Sequence, residues 1–145
     1  MAQTNEPLLS VKGLKQYFPV SNKFTVRAVD NISFDIYPGE TYGLVGESGS
    51  GKSTTGRSII RLYDPTEGTI LFNGEDISKK LTAKQEKMLR SDMQMVFQDP
   101  MASLNPHKKI LDTIAMGLDA HHPHMDQKER VERVSKMMEM VGLNP

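Results

Sequence analysis

Eight consecutive residues constrain this 145-residue chain more than any others: Gly46-Glu47-Ser48-Gly49-Ser50-Gly51-Lys52-Ser53. They match G-x-x-x-x-G-K-[ST] at every fixed position. The residue types follow from the task of holding a polyphosphate. Several negative charges lie close together in such a ligand, and many donors must point inward at short range. Glycines let the backbone enter left-handed conformations and keep side chains out of the way. The exposed N–H groups then form an anion nest, and a following helix adds the partial positive charge of its N-terminus. Lys52 places a point charge near the β- and γ-phosphates, Ser53 offers a hydroxyl to Mg²⁺, and Thr54 adds a donor in the first helical turn. At average residue frequencies roughly one chain in 200 of this length would match by chance. The flanking residues remove most of that ambiguity, because a short apolar run (Thr41-Tyr42-Gly43-Leu44-Val45) precedes the loop and a helical run (Ser53–Leu62) follows it. The loop does not distinguish ATP from GTP.

Composition excludes several classes. The 18 Lys+Arg balance 18 Asp+Glu, which argues against a basic surface made to hold nucleic acid. There is no cysteine, so disulfides and thiolate metal sites are excluded. No apolar run approaches the ~18 residues needed to span a bilayer. The start, MAQTNEPLLS, lacks the basic and apolar parts of a signal peptide.

The run Leu8–Phe18 reads as a strand, with Leu9, Val11 and then Leu14 in loose alternation. Phe24–Val29 and Ile32–Tyr37 read as two more strands, and Ile32, Phe34 and Ile36 alternate with polar residues. Pro38-Gly39 is a turn. Thr41–Val45 has the character of a strand buried on both faces in a parallel sheet. Gly68–Phe72 is a strand candidate followed by the hairpin turn Asn73-Gly74. Thr82–Arg90 is expected to be a short polar helix, Met93–Phe97 a strand, and Ile110–Leu118 a helix. A final helix near Asp126–Val141 has Val131, Val134, Met138 and Val141 on one stripe, Asp126 as N-cap and Gly142 as stop. The alternation predicts an α/β fold, with an antiparallel β section preceding a P-loop core.

With these residues in place, the chain resembles the ATP-binding subunits of ABC transporters. The likeness rests on LVGESGSGKST, on MQMVFQDP with Gln98, and on ASLNP, and it spans Leu8 to Pro145. Within that family it looks most like the bacterial oligopeptide/dipeptide permease ATPases. The resemblance implies a nucleotide-binding core over residues 1–98 and the start of a helical subdomain over 99–145, which in the family contacts membrane-spanning permease subunits. It implies ATP and Mg²⁺ as ligands. It matches Tyr17 to the aromatic that stacks on adenine, with Phe18 as the alternative if the register slips by one. It matches Gln98 to a glutamine whose amide oxygen can coordinate Mg²⁺ beside Ser53 and help position the attacking water. Lys52 and Gln98 are thus the expected catalytic contributors. The family also works as a head-to-tail dimer on the cytoplasmic face of the cell membrane.

The family pattern has parts this sequence does not contain: an LSGGQ-type signature, an apolar strand ending in Asp-Glu, and a later switch histidine. No carboxylate base is therefore identifiable for orienting water. The expectation is weak nucleotide binding and little or no hydrolysis by this chain alone, with the strand ending at Val45 short of neighbours. A P-loop kinase is the alternative enzyme reading, disfavoured by the β-rich section before the loop and by Gln98. The histidines His121, His122 and His124 read as an exposed loop, with a metal site as the alternative. Met137, Met138 and Met140 read as core filling or a subunit contact.

Overall fold

The computed structural model describes residues 6–97, 105 and 107–144. They fall into two compact units, one within Met1–Met95 and one within Val96–Pro145.

In the first unit the N-terminal runs fold into one long hairpin, β1 (Leu9–Ser21) and β2 (Phe24–Ile36). The two runs expected at Phe24–Val29 and Ile32–Tyr37 are a single strand. Asp30 and Asn31 do not end it, because the chain absorbs them as a bulge with Asn31 at φ 57°. A bulge at Lys12-Gly13 does the same in β1, where Gly13 has φ 59°. Val11 and Leu14 therefore both face inward although they are three residues apart, and both are fully buried. A further register slip leaves Ala28 as the extra residue opposite the Gln16–Tyr17 step.

The chain returns as β3 (Glu67–Phe72), antiparallel to β1 on its other side, and turns through Asn73 and Gly74 into the short β4 (Glu75–Asp76). Both turn residues have positive φ, 50° and 78°, the requirement of the tight hairpin that Asn-Gly favours. The sheet order is β2-β1-β3-β4. Its inner face buries Val11, Leu14, Ile70, Phe72 and Ile77, joined by Leu89 of the helix α2 (Ala83–Asp92). Each large aliphatic side chain removed from water here stabilises the fold by ~1.5–3 kcal/mol. Thr82 starts α2 with a capping box: its hydroxyl accepts from the Gln85 amide, and the Gln85 side chain accepts from the Thr82 amide.

The helix α1 (Lys52–Ile59) is shorter than the expected Ser53–Leu62, because Arg61 leaves helical space at φ 60°. The buried Arg61 guanidinium donates to the carbonyls of Ile77 and Lys79 and pairs with Asp64 at 2.6 Å, fastening the end of α1 to the segment after β4. Two expected strands do not form. Thr41–Val45 has no ladder partner among the described residues, and Val45 is 90% exposed. Met93–Phe97 is likewise unpaired. An apolar run becomes a strand only when neighbours satisfy its backbone. All strand pairs among the described residues are antiparallel.

The second unit is a helical hairpin of α3 (Ile110–His121) and α4 (Gln127–Met140). Ala115, Val134 and Met138 form its core, with Leu111, Ile114 and Leu118 packed against them. Asp126 caps α4 by accepting from the Lys128 amide at 3.1 Å. Gly142 ends it at φ 77°, with Leu143 N–H returning to the Met138 carbonyl at 2.9 Å. Because the helix ends at Met140, Val141 leaves the apolar stripe and is 72% exposed. Met137 and Met140 are also exposed, so only Met138 of the three methionines fills core. His121, His122 and His124 border an open pocket of about 370 Å³ with Glu129 and Arg133. No three metal-ligating side chains converge among the described residues. No described helix is long and apolar enough to cross a membrane.

Arg130 of α4 grips α3 with a two-pronged contact to Asp119 (2.8 and 3.0 Å) and a longer one to Asp112 (3.3 Å). The hydrogen bond from Arg130 holds the Asp119 carboxyl below its ordinary pKa, a lowering that burial opposes only in part. A depressed folded-state value means the contact stabilises fully above the unfolded pKa, ~3.9, and is lost as pH falls through the lower folded value. Amide hydrogen-exchange protection at Val134 and Met138 is expected to fall on acidification below about pH 4. Asp119→Asn should remove most of that pH dependence, and an unchanged profile would contradict the assignment.

Candidate functional site

The loop Gly46–Gly51 leads directly into α1, and its shape follows from its glycines. Gly49 and Gly51 have φ 81° and 89°, a region that side chains rarely tolerate. Gly51 is also the N-cap of α1. A Cβ there would overlap the carbonyl oxygen of Ala28, the extra residue of the β2 bulge, so the helix start lies directly against that strand. A Cβ on Gly46 would come within 2.7 Å of the Ser50 hydroxyl. The Ser50 amide donates to the Glu47 carbonyl at 3.2 Å and closes the turn.

The start of α1 has no side-chain cap and no acidic residue in its first turn. Its amides therefore keep their capacity for an external anion. Lys52 curls back over the loop. Its ammonium donates to the carbonyls of Gly46 at 2.8 Å and Glu47 at 2.6 Å, and lies 3.3 Å from the Ser50 hydroxyl. The Ser53 and Thr54 hydroxyls make no hydrogen bond among the described residues, and Ser53 is exposed. Thr55, which sequence reasoning did not single out, is buried and donates its hydroxyl to the Gly51 carbonyl at 3.0 Å, bracing the first turn. The residues fit a polyphosphate with its metal: a glycine cradle that side chains would fill, unclaimed helix-end amides, a cation at the rim and an uncommitted hydroxyl.

The two candidate aromatic rings lie on opposite faces of β1. Tyr17 shares a face with Lys15 and donates its hydroxyl to the Asp30 carboxylate at 2.5 Å. That bond, reinforced by burial, pushes its pKa above the ordinary value. The Arg27 guanidinium covers the ring, 5.4 Å from its centroid. Phe18 lies on the other face with Gln16. Its ring meets Tyr63, beyond the end of α1, edge-on at 5.3 Å, while Gln16 accepts from Ser58 of α1 at 3.2 Å. Gln16, Ser58 and Arg61 went unnoticed in the sequence, because only the bulge at Gly13 puts Gln16 on the inward face of β1. Gln98 lies outside the described residues.

Comparison with known proteins places this geometry in context. The ABC transporter family model matches residues 29–145. The chain is 57% identical over 139 residues to the oligopeptide transport ATP-binding protein OppF of Bacillus subtilis (strain 168), covering 96% of this chain and 45% of that protein. It is 46% identical over 139 residues to the dipeptide transport ATP-binding protein DppF of Lactococcus lactis subsp. cremoris (strain MG1363), covering 94% of this chain and 44% of that one. It thus spans somewhat under half the length of these relatives. Among solved structures it resembles the dimeric, post-hydrolysis ATP-binding cassette MJ0796 bound to ADP and Pi. The TM-score is 0.80 at 26% identity, over 94% of this chain and 58% of that one. With the phosphate loop and α1 inside the matched range, the chain belongs to the ABC transporter family.

Proposed function

We propose that this chain is the phosphate-loop part of an ATP-binding subunit that energises oligopeptide or dipeptide import, and that it binds Mg-ATP through residues 46–54. The observation that carries this is the glycine loop with Lys52 folded across it at the uncapped start of α1. The names of the relatives supply the transported class. In this reading the amides of residues 47–53 hold the phosphates. The Lys52 ammonium exchanges its carbonyl partners for phosphate oxygens, a stronger charge-assisted contact. Ser53 holds Mg²⁺, which would neutralise charge on the phosphate oxygens. Gln98 is the second metal contact the family likeness supplies.

For the base we favour Phe18 over Tyr17. Tyr17 has its hydroxyl committed to Asp30 and its ring beneath Arg27, on the face of β1 opposite Gln16. Phe18 shares the face that meets α1 through Gln16 and Ser58. Hydrolysis is a separate matter. Attack by water needs a base or a water-positioning group; the sequence offers Gln98 for positioning but contains no apolar strand ending in Asp-Glu. The chain alone is therefore a binder with little turnover. A second ATP-binding subunit and membrane-spanning permease subunits are its proposed partners, on the cytoplasmic face of the membrane, and the helical hairpin of residues 110–140 is the proposed permease-facing part.

Isothermal calorimetry with Mg-ATP tests this reading. Lys52→Ala is expected to weaken binding by about ten- to a hundredfold, the size of a lost charge-assisted contact. Unchanged affinity would refute the assignment. Phe18→Ala should cost about three- to tenfold in Mg-ATP affinity and leave Mg-tripolyphosphate binding unaffected. Tyr17→Leu, which removes the ring, should change neither, and the opposite pattern would return the base to Tyr17.

A further inference from the structure

Gln16 and Ser58 are 42 residues apart in sequence and meet inside the first unit, where Ser58 is 0% and Gln16 4% exposed. Two polar side chains in such a place need an explanation, because an apolar pair of similar shape would fold as well or better. Their hydrogen bond is the only side-chain bond between α1 and β1 among the described residues. Its ends lead to the two halves of the proposed ligand site. Ser58 is on the helix whose first residue is Lys52. Gln16 is two residues before Phe18, on the same face of the same strand.

We infer that Gln16 and Ser58 are positioning residues that set the phosphate loop at the correct offset from the base-stacking ring. This rests on the preceding reading, that the loop takes the phosphates and Phe18 the base. A nucleotide is then a two-ended ligand. Each end binds its own subsite, and affinity for the whole depends on both subsites being correctly spaced at once. The other fastenings of α1 act on its two ends. Gly51 rests against Ala28 of β2, and Arg61 ties the far end of the helix to the segment after β4. Removing the Ser58 hydroxyl lets α1 pivot against β1 about its Gly51 end while leaving the loop itself intact. It also leaves a buried Gln16 oxygen without its donor, which favours such a pivot. The loss should appear for two-ended ligands and not for one-ended ligands.

The test compares Mg-ATP with Mg-tripolyphosphate by calorimetry on the 145-residue chain, in wild type, Ser58→Ala, Gln16→Leu and the double variant. Ile70→Val, a buried change on β3 opposite Val11, controls for general destabilisation. Each single variant is expected to weaken Mg-ATP about fivefold and Mg-tripolyphosphate by less than about twofold. The double variant should be no weaker than the weaker single one, as for two halves of one contact. Ile70→Val should leave the ratio of the two affinities at the wild-type value. If Ser58→Ala and Gln16→Leu keep that ratio, or Ile70→Val shifts it as much, the pair is structural and the inference is overturned. Ser58→Ala, which removes one oxygen, carries the comparison if Gln16→Leu does not fold. Failure of the underlying reading looks different: a wild-type chain that binds neither ligand rejects the loop assignment and this inference together. Normal Mg-ATP binding by Phe18→Ala rejects the base assignment.

Discussion

The backbone of residues 46–51 must run with its amides available and with no side chain at Gly46, Gly49 and Gly51, and the seating of α1 follows from that constraint. Left-handed conformations at Gly49 and Gly51 turn the chain tightly enough to enter α1 without a side-chain cap. The cost is a helix end with unclaimed donors, which is tolerable where an anion will satisfy them. Close approach of Gly51 to the Ala28 carbonyl then fixes the start of the helix on β2. That approach depends on the bulge that makes Ala28 the extra residue. A loop shaped for charge and a strand irregular at one residue are parts of the same arrangement. Lys52 folds across the loop onto two carbonyls, where the ammonium is held until a stronger acceptor arrives.

Much of this was legible in the sequence, for identifiable reasons. The loop motif carries its own mechanism, and Asn73-Gly74 and the Asp126 and Gly142 boundaries of α4 are local signals in which one residue type suits one backbone conformation. The assignment of faces on β1 was not legible. Simple alternation counted from Val11 puts Tyr17 on the inward face and Phe18 outside it. The bulge at Gly13 inserts one residue and reverses the parity, so that Leu14, Gln16 and Phe18 share a side. A strand pattern says nothing about bulges until a partner strand is present, and β2 likewise hid its continuity behind Asn31. The two missing strands failed for a related reason. Thr41–Val45 has the composition of a central strand, but composition supplies no neighbour, and Val45 is left in solvent.

The two units divide the chemistry. The first has every described residue of the proposed nucleotide site. The second is a short helical hairpin whose sparse core, built on Ala115, Val134 and Met138, is reinforced by the Arg130 contacts to Asp112 and Asp119. The relatives are more than twice as long as this chain. In the first unit Leu44 and Val45 are apolar and exposed, an edge that no described strand covers.

The central claim is that backbone amides at residues 47–53 hold the phosphates of a nucleotide. The most direct measurement is a titration of the ¹⁵N-labelled chain with Mg-ATP, followed by amide chemical shifts. The account predicts the largest shifts at Gly49, Gly51, Lys52 and Ser53, saturating together, with Val134 and Met138 unmoved. Saturable shifts centred elsewhere, or loop amides indifferent to millimolar nucleotide in a folded sample, would contradict it.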